Sequence, residues 1–294
     1  MTTGTVTFKE ESIACRPHYR KVRTPIGMAE LSEVFARLES SSILGGNAAK
    51  ANADGFSYWA CKPKEIFEFR AGQKEPFEKL HRILNKYKLE DPAINRGAKH
   101  LAPRFIWGLP KGMFCGGWIG YFSYELGRYI ERLPATTLDD LWMPLIRLCF
   151  YDRFIAYDHD DNAFWLIALE LPDDVEKPEY KLADLEQFLA EAGRIRITKL
   201  IQAEVETIDF SQIRCNMSRD YYWAMLGKIK RYIFDGDVYQ INFSQRFVCD
   251  FYAGPIDLFH WQNYYNPSGY AAYLDGGDYH DHLSQPGENH GSRT

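Results

Sequence analysis

Cysteines are few in this sequence and follow no pattern. There are six among 294 residues, and no two of them form a C-x-x-C pair. A zinc knuckle or a secreted disulfide framework needs closely and regularly spaced cysteines, so both classes are excluded. The six stand at Cys15, Cys61, Cys115, Cys149, Cys215 and Cys249. We expect reduced thiols, several of them buried as small hydrophobic side chains.

The sequence also lacks long hydrophobic runs and a strong excess of one charge. No apolar stretch approaches the roughly 20 residues that span a bilayer, and the first residues carry no apolar core of the signal-peptide type. The formal net charge is -5, with acidic and basic residues mixed along the chain. A nucleic-acid-binding protein would need a basic face or stripe. We therefore expect no membrane partner, no nucleic-acid partner and a cytoplasmic location.

Helical and alternating hydrophobic patterns are both present. The composition, 46% hydrophobic and 15% aromatic, suits large core residues and strands. The predicted helices cover 31–39, 76–89, 182–192 and 218–234. Ser32 is the predicted cap of the first. The predicted strands cover 56–63, 65–72 and 145–171, the last with a turn from Asp158 to Asn162. The predicted fold class is α+β, with large, mostly antiparallel sheets and helices packed on their faces.

A strand-like segment, Gly236 to Phe251, directly follows the last of these helices. Its alternation places Tyr239, Ile241, Phe243 and Phe247 on one face. The opposite face carries hydrogen-bonding groups and one guanidinium, here called the polar row: Gln240, Asn242, Ser244 and Arg246. The row has two interpretations. It is the solvated side of an amphipathic strand, or it lines a site for an anionic, hydroxylated ligand.

Four motifs in a fixed order resemble one enzyme family. They are Leu38-Glu39-Ser40, then GGWIGYFSYELGR from Gly116, then GDVYQINFSQRF from Gly236, and NPSGYAAYL from Asn266. Together they resemble component I of aminodeoxychorismate synthase and of anthranilate synthase. The resemblance implies the anthranilate-synthase-component-I fold, an N-terminal domain followed by the start of a chorismate-binding domain.

The resemblance also implies a reaction and its participants. Chorismate and ammonia would give 4-amino-4-deoxychorismate, or anthranilate and pyruvate, with Mg2+ assisting and a glutamine amidotransferase subunit supplying the ammonia. It implies a tryptophan pocket as well. Carried over by position, this pocket comprises Ser40, Asp54, Gly55, Phe56, Gly269, Tyr270 and Ala271. We favour the aminodeoxychorismate product of folate and p-aminobenzoate biosynthesis, because of the Gly116 motif and the YDH context at Tyr157. Anthranilate synthesis and a non-catalytic tryptophan-binding or amidotransferase-docking module remain the alternatives.

The family pattern stops near the end of the sequence. The family continues with S-x-S-P-E-R-F, whose glutamate is catalytic, whereas this chain reads HDHLSQPGENHGSRT from His280. One reading-frame shift of Ser284 to Glu288 yields A-S-P-E-R, which would place the glutamate codon over Gly287. We interpret the ending as a frameshift near Gly277 to Tyr279. The resemblance then implies that no catalytic residue is present, that Mg2+ ligands lie beyond Thr294, and that the chain is inactive. A metal site at His280, Asp281, His282 and His290 is the weaker interpretation of the tail.

The resemblance and the composition together predict five segments. These are an irregular segment over 1–30, the N-terminal-like domain over 31–172, a connection over 173–209, the beginning of the chorismate-binding domain over 210–279, and a non-family tail over 280–294.

Overall fold

The structure is a computed structural model, and it describes residues 12–45, 55–90, 105–106, 108–134, 139–197, 210–251 and 253–283. The strands are β1 Ile13–Val22, β2 Ser42–Leu44, β3 Phe56–Ala60, β4 Glu65–Phe69, β5 Tyr87–Leu89, β6 Phe105–Ile106, β7 Leu109–Pro110, β8 Gly117–Phe122, β9 Ile146–Tyr151, β10 Arg153–Asp158, β11 Ala163–Glu170, β12 Arg214–Cys215, β13 Phe247–Val248, β14 Ala272–Asp275 and β15 His280–Leu283. The helices are α1 Met28–Phe35, α2 Pro76–Lys86, α3 Pro178–Ala192, α4 Arg219–Phe234 and α5 Pro255–Tyr265, with short 3-10 helices at Tyr124–Tyr129 and Phe210–Gln212.

An eight-stranded sheet organises the molecule, in the order β15-β14-β2-β3-β10-β11-β1-β5. Every neighbouring pair is antiparallel except β1 with β5. The predicted hairpin is confirmed, since β10 and β11 pair from Arg153↔Ala168 to Asp158↔Ala163. The mixed α+β fold with mostly antiparallel sheets is confirmed as well.

A second, three-stranded sheet lies over one face of the large one, in the order β4-β9-β8. Its inward side chains, such as Ile119 and Cys149, share a buried core with Phe154 and Ile167 of the large sheet. Helix α2 covers the outer face of the small sheet through Leu80 and Ile83. The apolar pattern over 145–158 predicts one strand, but the chain bends at Asp152 and passes from the small sheet to the large one.

Helices α1, α3 and α5 cover the other face of the large sheet. Their buried side chains pack on the strands in one cluster, which includes Phe35 of α1, Leu185 of α3 and Phe259 of α5. Predicted helix 31–39 begins earlier, at Met28. Ser32 is therefore a buried residue inside α1 and not its cap, because its hydroxyl donates to the Met28 carbonyl and accepts from Trp59 Nε1.

A cluster of charged side chains ties α3 to the bend at Asp152. Lys181 has no exposed surface, and its Nζ lies 2.7 Å from Asp152 Oδ2 and 2.8 Å from the Leu169 carbonyl. Asp174 also contacts Lys181, and Lys64 approaches Asp174 at 2.8 Å. Burial alone would raise the pKa of Asp174, but hydrogen bonds from both lysines lower it. The bend is thus held by side chains distant in sequence.

Helix α4 and the segments beside it are open to solvent. The predicted N-cap of α4 is confirmed, because Ser218 Oγ accepts from the Tyr221 amide at 3.2 Å. No residue of α4 is buried, although its pattern predicts an apolar face. Among the described residues, strand β13 pairs with β12 and with no other strand. This part of the chain therefore exposes apolar side chains, including Trp223 and Phe234.

Three of the expected segments look different in the structure. Residues 1–11 lie outside the described part, but Ile13–Val22 form a ten-residue strand of the large sheet, so an irregular segment over 1–30 is wrong there. The expected connection over 173–209 contains α3, a helix of the core. In the expected tail, His280–Leu283 pair with β14 because their backbone completes the edge of the sheet.

Candidate functional site

Ser40 occupies a turn that distant side chains hold in an unusual conformation. Its φ of 49° lies in the left-handed region, which costs a non-glycine residue about 1–3 kcal/mol. The Ser40 amide donates to Asp275 Oδ2 at 2.8 Å, and its carbonyl accepts from the Tyr151 hydroxyl at 2.5 Å. Strands β9 and β14 thus determine the shape of the turn before β2.

A buried arginine lies beside the same turn. Arg147 of β9 is only 8% exposed and points into the layer between the two sheets. One end of its guanidinium pairs with Glu68, while Nη2 lies 3.3 Å from Ser40 Oγ and 3.4 Å from the Asp275 carbonyl. A planar cation with several donors suits recognition of a carboxylate or hydroxyl group. We call Ser40, Arg147, Tyr151, Asp275 and Glu68 the Ser40 corner.

Neighbouring hydroxyl groups make this corner polar. Ser42 Oγ lies 2.9 Å from the Tyr151 hydroxyl. Burial raises the pKa of Tyr151 well above its ordinary value, so this phenol stays protonated and able to donate. Ser41 is fully buried, and its Oγ has no hydrogen-bond partner among the described residues.

The remaining residues of the predicted tryptophan pocket lie at the opposite end of β2. Gly45 donates its amide to the Ala271 carbonyl at 2.7 Å, and it follows Ser40 by five residues, on the order of 15 Å of extended chain. Gly55, with φ of 72°, accepts from the His159 amide at 2.8 Å beside this end. Phe56 and Gly269 are buried, Tyr270 is 58% exposed, and Asp54 lies outside the described residues.

These contacts group Gly55 and Phe56 with Gly269 to Ala271, and leave Ser40 apart from them. His159 joins this second group because its Nε2 lies 2.8 Å from Ser57 Oγ. Burial lowers the pKa of His159. Since Ser57 is only 1% exposed, the pair anchors the strand ends and is not placed to attack a substrate. The assignment of all seven pocket residues stays a prediction.

The polar row is exposed and forms no strand. Among the described residues, only Phe247–Val248 of the predicted strand 236–251 form a strand, paired with Arg214–Cys215, and the Arg246 carbonyl beside them accepts from the Asn216 amide at 3.1 Å. Gln240, Asn242 and Ser244 are exposed. Arg246 forms a two-point ion pair with Asp140, at 2.9 Å and 2.6 Å. The extended strand predicted for this segment is therefore wrong, and the row does not enclose a site among the described residues.

No metal centre is built from the part of the chain that the structure describes. Within it, no three histidine, cysteine or acidic side chains converge where an ion could sit. The described residues therefore do not fit a Mg2+ site, and His290 and Gly287 lie outside them. His282 of the predicted tail cluster has its Nδ1 buried without a hydrogen-bond partner among the described residues, and burial lowers its pKa to about 4.

A cavity of about 710 Å³ lies away from all of these residues, between the segment before α1 and the end of α3. Glu30, Arg194 and Arg196 line it together with apolar side chains. Because both signs of charge face the cavity, it favours no one ligand class.

In the described ranges, no helix has the length and apolarity to cross a membrane.

Comparison with known proteins identifies the family. The family model described as "chorismate binding enzyme" matches residues 48–286, well over half of the chain and past the tail boundary expected at 280. The chain belongs to the chorismate binding enzyme family. The expected relationship to component I of aminodeoxychorismate and anthranilate synthases is confirmed.

Two relatives show how similar the chain is to each enzyme type. Aminodeoxychorismate synthase component 1 of Bacillus subtilis is 34% identical over 167 residues, covering 56% of this chain and 34% of the relative. Anthranilate synthase component 1 of Pseudomonas aeruginosa is 34% identical over 183 residues, covering 61% of this chain and 37% of the relative. The chain thus spans about a third of the length of these relatives. Equal identity leaves the product undecided.

A solved structure agrees with the fold. Anthranilate synthase component I from Streptococcus pneumoniae TIGR4 superposes with a TM-score of 0.53 at 22% identity, covering 81% of this chain and 51% of that one. At this identity the similarity concerns the fold alone.

The sequence indicated Ser40 but not the other residues of the Ser40 corner. Its one signal was a charged residue, Arg147, inside the otherwise apolar stretch from Leu145 to Tyr151.

Proposed function

We propose that this chain has the role of aminodeoxychorismate synthase component I. The reaction would convert chorismate and ammonia to 4-amino-4-deoxychorismate for folate and p-aminobenzoate synthesis, with a glutamine amidotransferase subunit supplying the ammonia. The observation that carries the proposal is the family match over residues 48–286. The Gly116 motif and the YDH sequence at Tyr157 favour this product over anthranilate.

Anthranilate synthesis is the second candidate, supported by the Pseudomonas aeruginosa relative at 34% identity. The two products separate the candidates directly. Chorismate and ammonium chloride are incubated with the protein and Mg2+, and anthranilate is measured by its fluorescence. Aminodeoxychorismate is measured as p-aminobenzoate after adding its lyase. Anthranilate without p-aminobenzoate would overturn our choice of product.

We also propose that this reaction depends on Mg2+. This proposal rests on the family resemblance alone, because the described residues build no metal site. Any product that does form should disappear on chelation with EDTA and return with excess Mg2+. Calcium chloride at the same ionic strength is the control for charge screening. Turnover that survives chelation would contradict the metal proposal while leaving the reaction itself in place.

We expect the 294-residue polypeptide by itself to bind tryptophan and not to turn over chorismate. The polar row is exposed, so chorismate on it would remain in water, where electrostatic stabilisation of a transition state is weak. In the Ser40 corner, by contrast, Arg147 and Tyr151 are buried, and Arg147 contacts both Glu68 and Ser40. This favours the binding-module alternative, a tryptophan site without catalysis. Calorimetric titration with L-tryptophan, run beside the turnover assay, distinguishes the two, and measurable product from this polypeptide would refute the expectation.

A further inference from the structure

The Ser40 turn is held almost entirely by residues from other strands. The amide of Ser40 is fixed by Asp275 and its carbonyl by Tyr151. The one contact to its side chain that the structure shows comes from Arg147 Nη2, at 3.3 Å from Oγ. Because an unrestrained hydroxyl rotates among its staggered positions, this contact selects the direction in which Ser40 Oγ points.

Arg147 is itself held so that it can act in this way. Its neighbours on β9, Ile146 and Leu148, face the opposite side of the small sheet, so the guanidinium lies between the two sheets. The pair with Glu68 occupies one nitrogen, and this leaves Nη2 directed at Ser40 and at the Asp275 carbonyl. A charge buried to this degree has little freedom to move.

We propose that Arg147 is a positioning residue that fixes Ser40 for ligand binding. The inference rests on the proposed tryptophan site, taken at the Ser40 end of β2 and not at the Gly45 end, where Ala271 lies, and it adds a residue from β9. Arg147 acts through Ser40: its guanidinium sets the hydroxyl, and its bond to the Asp275 carbonyl keeps β14 against the turn. A small ligand with an amino or carboxylate group would then meet a preorganised hydroxyl, which avoids the cost of ordering it on binding.

The test compares Arg147→Met and Arg147→Lys with the parent chain by calorimetric titration with L-tryptophan. Arg147→Met should weaken binding by about threefold to tenfold, the factor for immobilising one side chain at a contact. Arg147→Lys keeps the charge but loses the two-point geometry of the guanidinium. Its affinity for L-tryptophan should therefore lie between those of the parent chain and Arg147→Met. Arg20→Met is the matched control, because Arg20 is half-exposed and pairs with Glu186 on the far side of the molecule.

The melting midpoint of each variant is measured as well, so that a purely structural role of Arg147 can be told apart from its positioning role. All titrations are made well below the melting midpoint, where loss of stability alone leaves the affinity of the folded chain unchanged. If Arg147→Met does not fold, Glu68→Gln takes its place, because it frees the guanidinium without removing it. Unchanged affinity in whichever of these variants folds overturns the proposal.

If the parent chain does not bind tryptophan, the proposed tryptophan site is wrong. This result alone does not decide whether Arg147 positions Ser40. Hydrogen–deuterium exchange of the peptide covering residues 38–44 decides that case. Exchange at the Ser40 amide should be faster in Arg147→Met than in the parent and in Arg20→Met. Faster exchange supports the positioning role and places the error in the choice of ligand. Equal exchange overturns the positioning role.

Discussion

Replacing Lys181 by methionine tests whether the charged cluster at the bend holds the two sheets together. Lys181 is fully buried and contacts Asp152, Asp174 and the Leu169 carbonyl. Methionine keeps most of the length of the side chain and removes its charge. Asp152, whose side chain is 4% exposed, then loses one of its two cationic partners.

The expected loss follows from what remains paired. Removing one partner of a buried ion pair typically costs about 3–5 kcal/mol, because a charge stays buried without compensation. Here Asp152 keeps Arg153 at 3.2 Å and Asp174 keeps Lys64 at 2.8 Å. We therefore expect the low end, about 3 kcal/mol. For a domain of this size that lowers the melting midpoint by about 6–12 °C.

Thermal unfolding followed by circular dichroism measures this shift. Lys177→Met is the matched control, since Lys177 is exposed and precedes the same helix. Combining Lys181→Met with Asp152→Asn separates charge from packing, because it removes the uncompensated carboxylate. The double variant should recover about 1 kcal/mol or more. A Lys181→Met variant within about 1 kcal/mol of the parent, or a double variant no more stable than the single one, would refute the reasoning.

Three further outcomes are expected. Gly120→Ala should destabilise the chain by about 1–3 kcal/mol in a urea titration, because the added Cβ would meet the Arg147 carbonyl at 1.9 Å. Gly227→Ala in exposed α4 is the control and should stabilise the chain by up to about 1 kcal/mol. His282 has its folded pKa lowered to about 4 from 6.5, so its neutral form favours folding above about pH 6.5 and this contribution is lost as the pH falls toward 4. The melting midpoint of His282→Phe should accordingly fall less between pH 7 and pH 5 than that of the parent, and an equal fall would contradict the assignment. The exposed apolar side chains around α4 should drive self-association, which Ile233→Glu should reduce in light scattering; a monodisperse parent chain would count against this.

Sequence reasoning succeeded where local chemistry decides the structure. Helix α4 begins after Ser218 because the cap and the helical spacing lie within one segment. The turn from Asp158 to Asn162 formed as expected because the Asp158 carboxylate accepts the amides of Asp160 and Asp161. The bend at Asp152 could not be predicted in this way. It depends on Lys181, which is 29 positions later in the sequence, and an apolar run does not show which sheet each half will join.

The same distinction explains why the candidate site was found only in part. Polar and apolar side chains alternate along 236–251, but a strand also needs a neighbouring backbone, and among the described residues only Arg214–Asn216 provide one. Ser40 was recognisable from a motif, whereas its contacts come from β9 and β14, more than a hundred positions away. A charged residue inside an apolar strand is therefore the most useful local sign of such a site, because burying Arg147 requires partners that fix its position. That requirement makes Arg147, rather than the exposed polar row, the residue from which ligand binding in this part of the family should be investigated first.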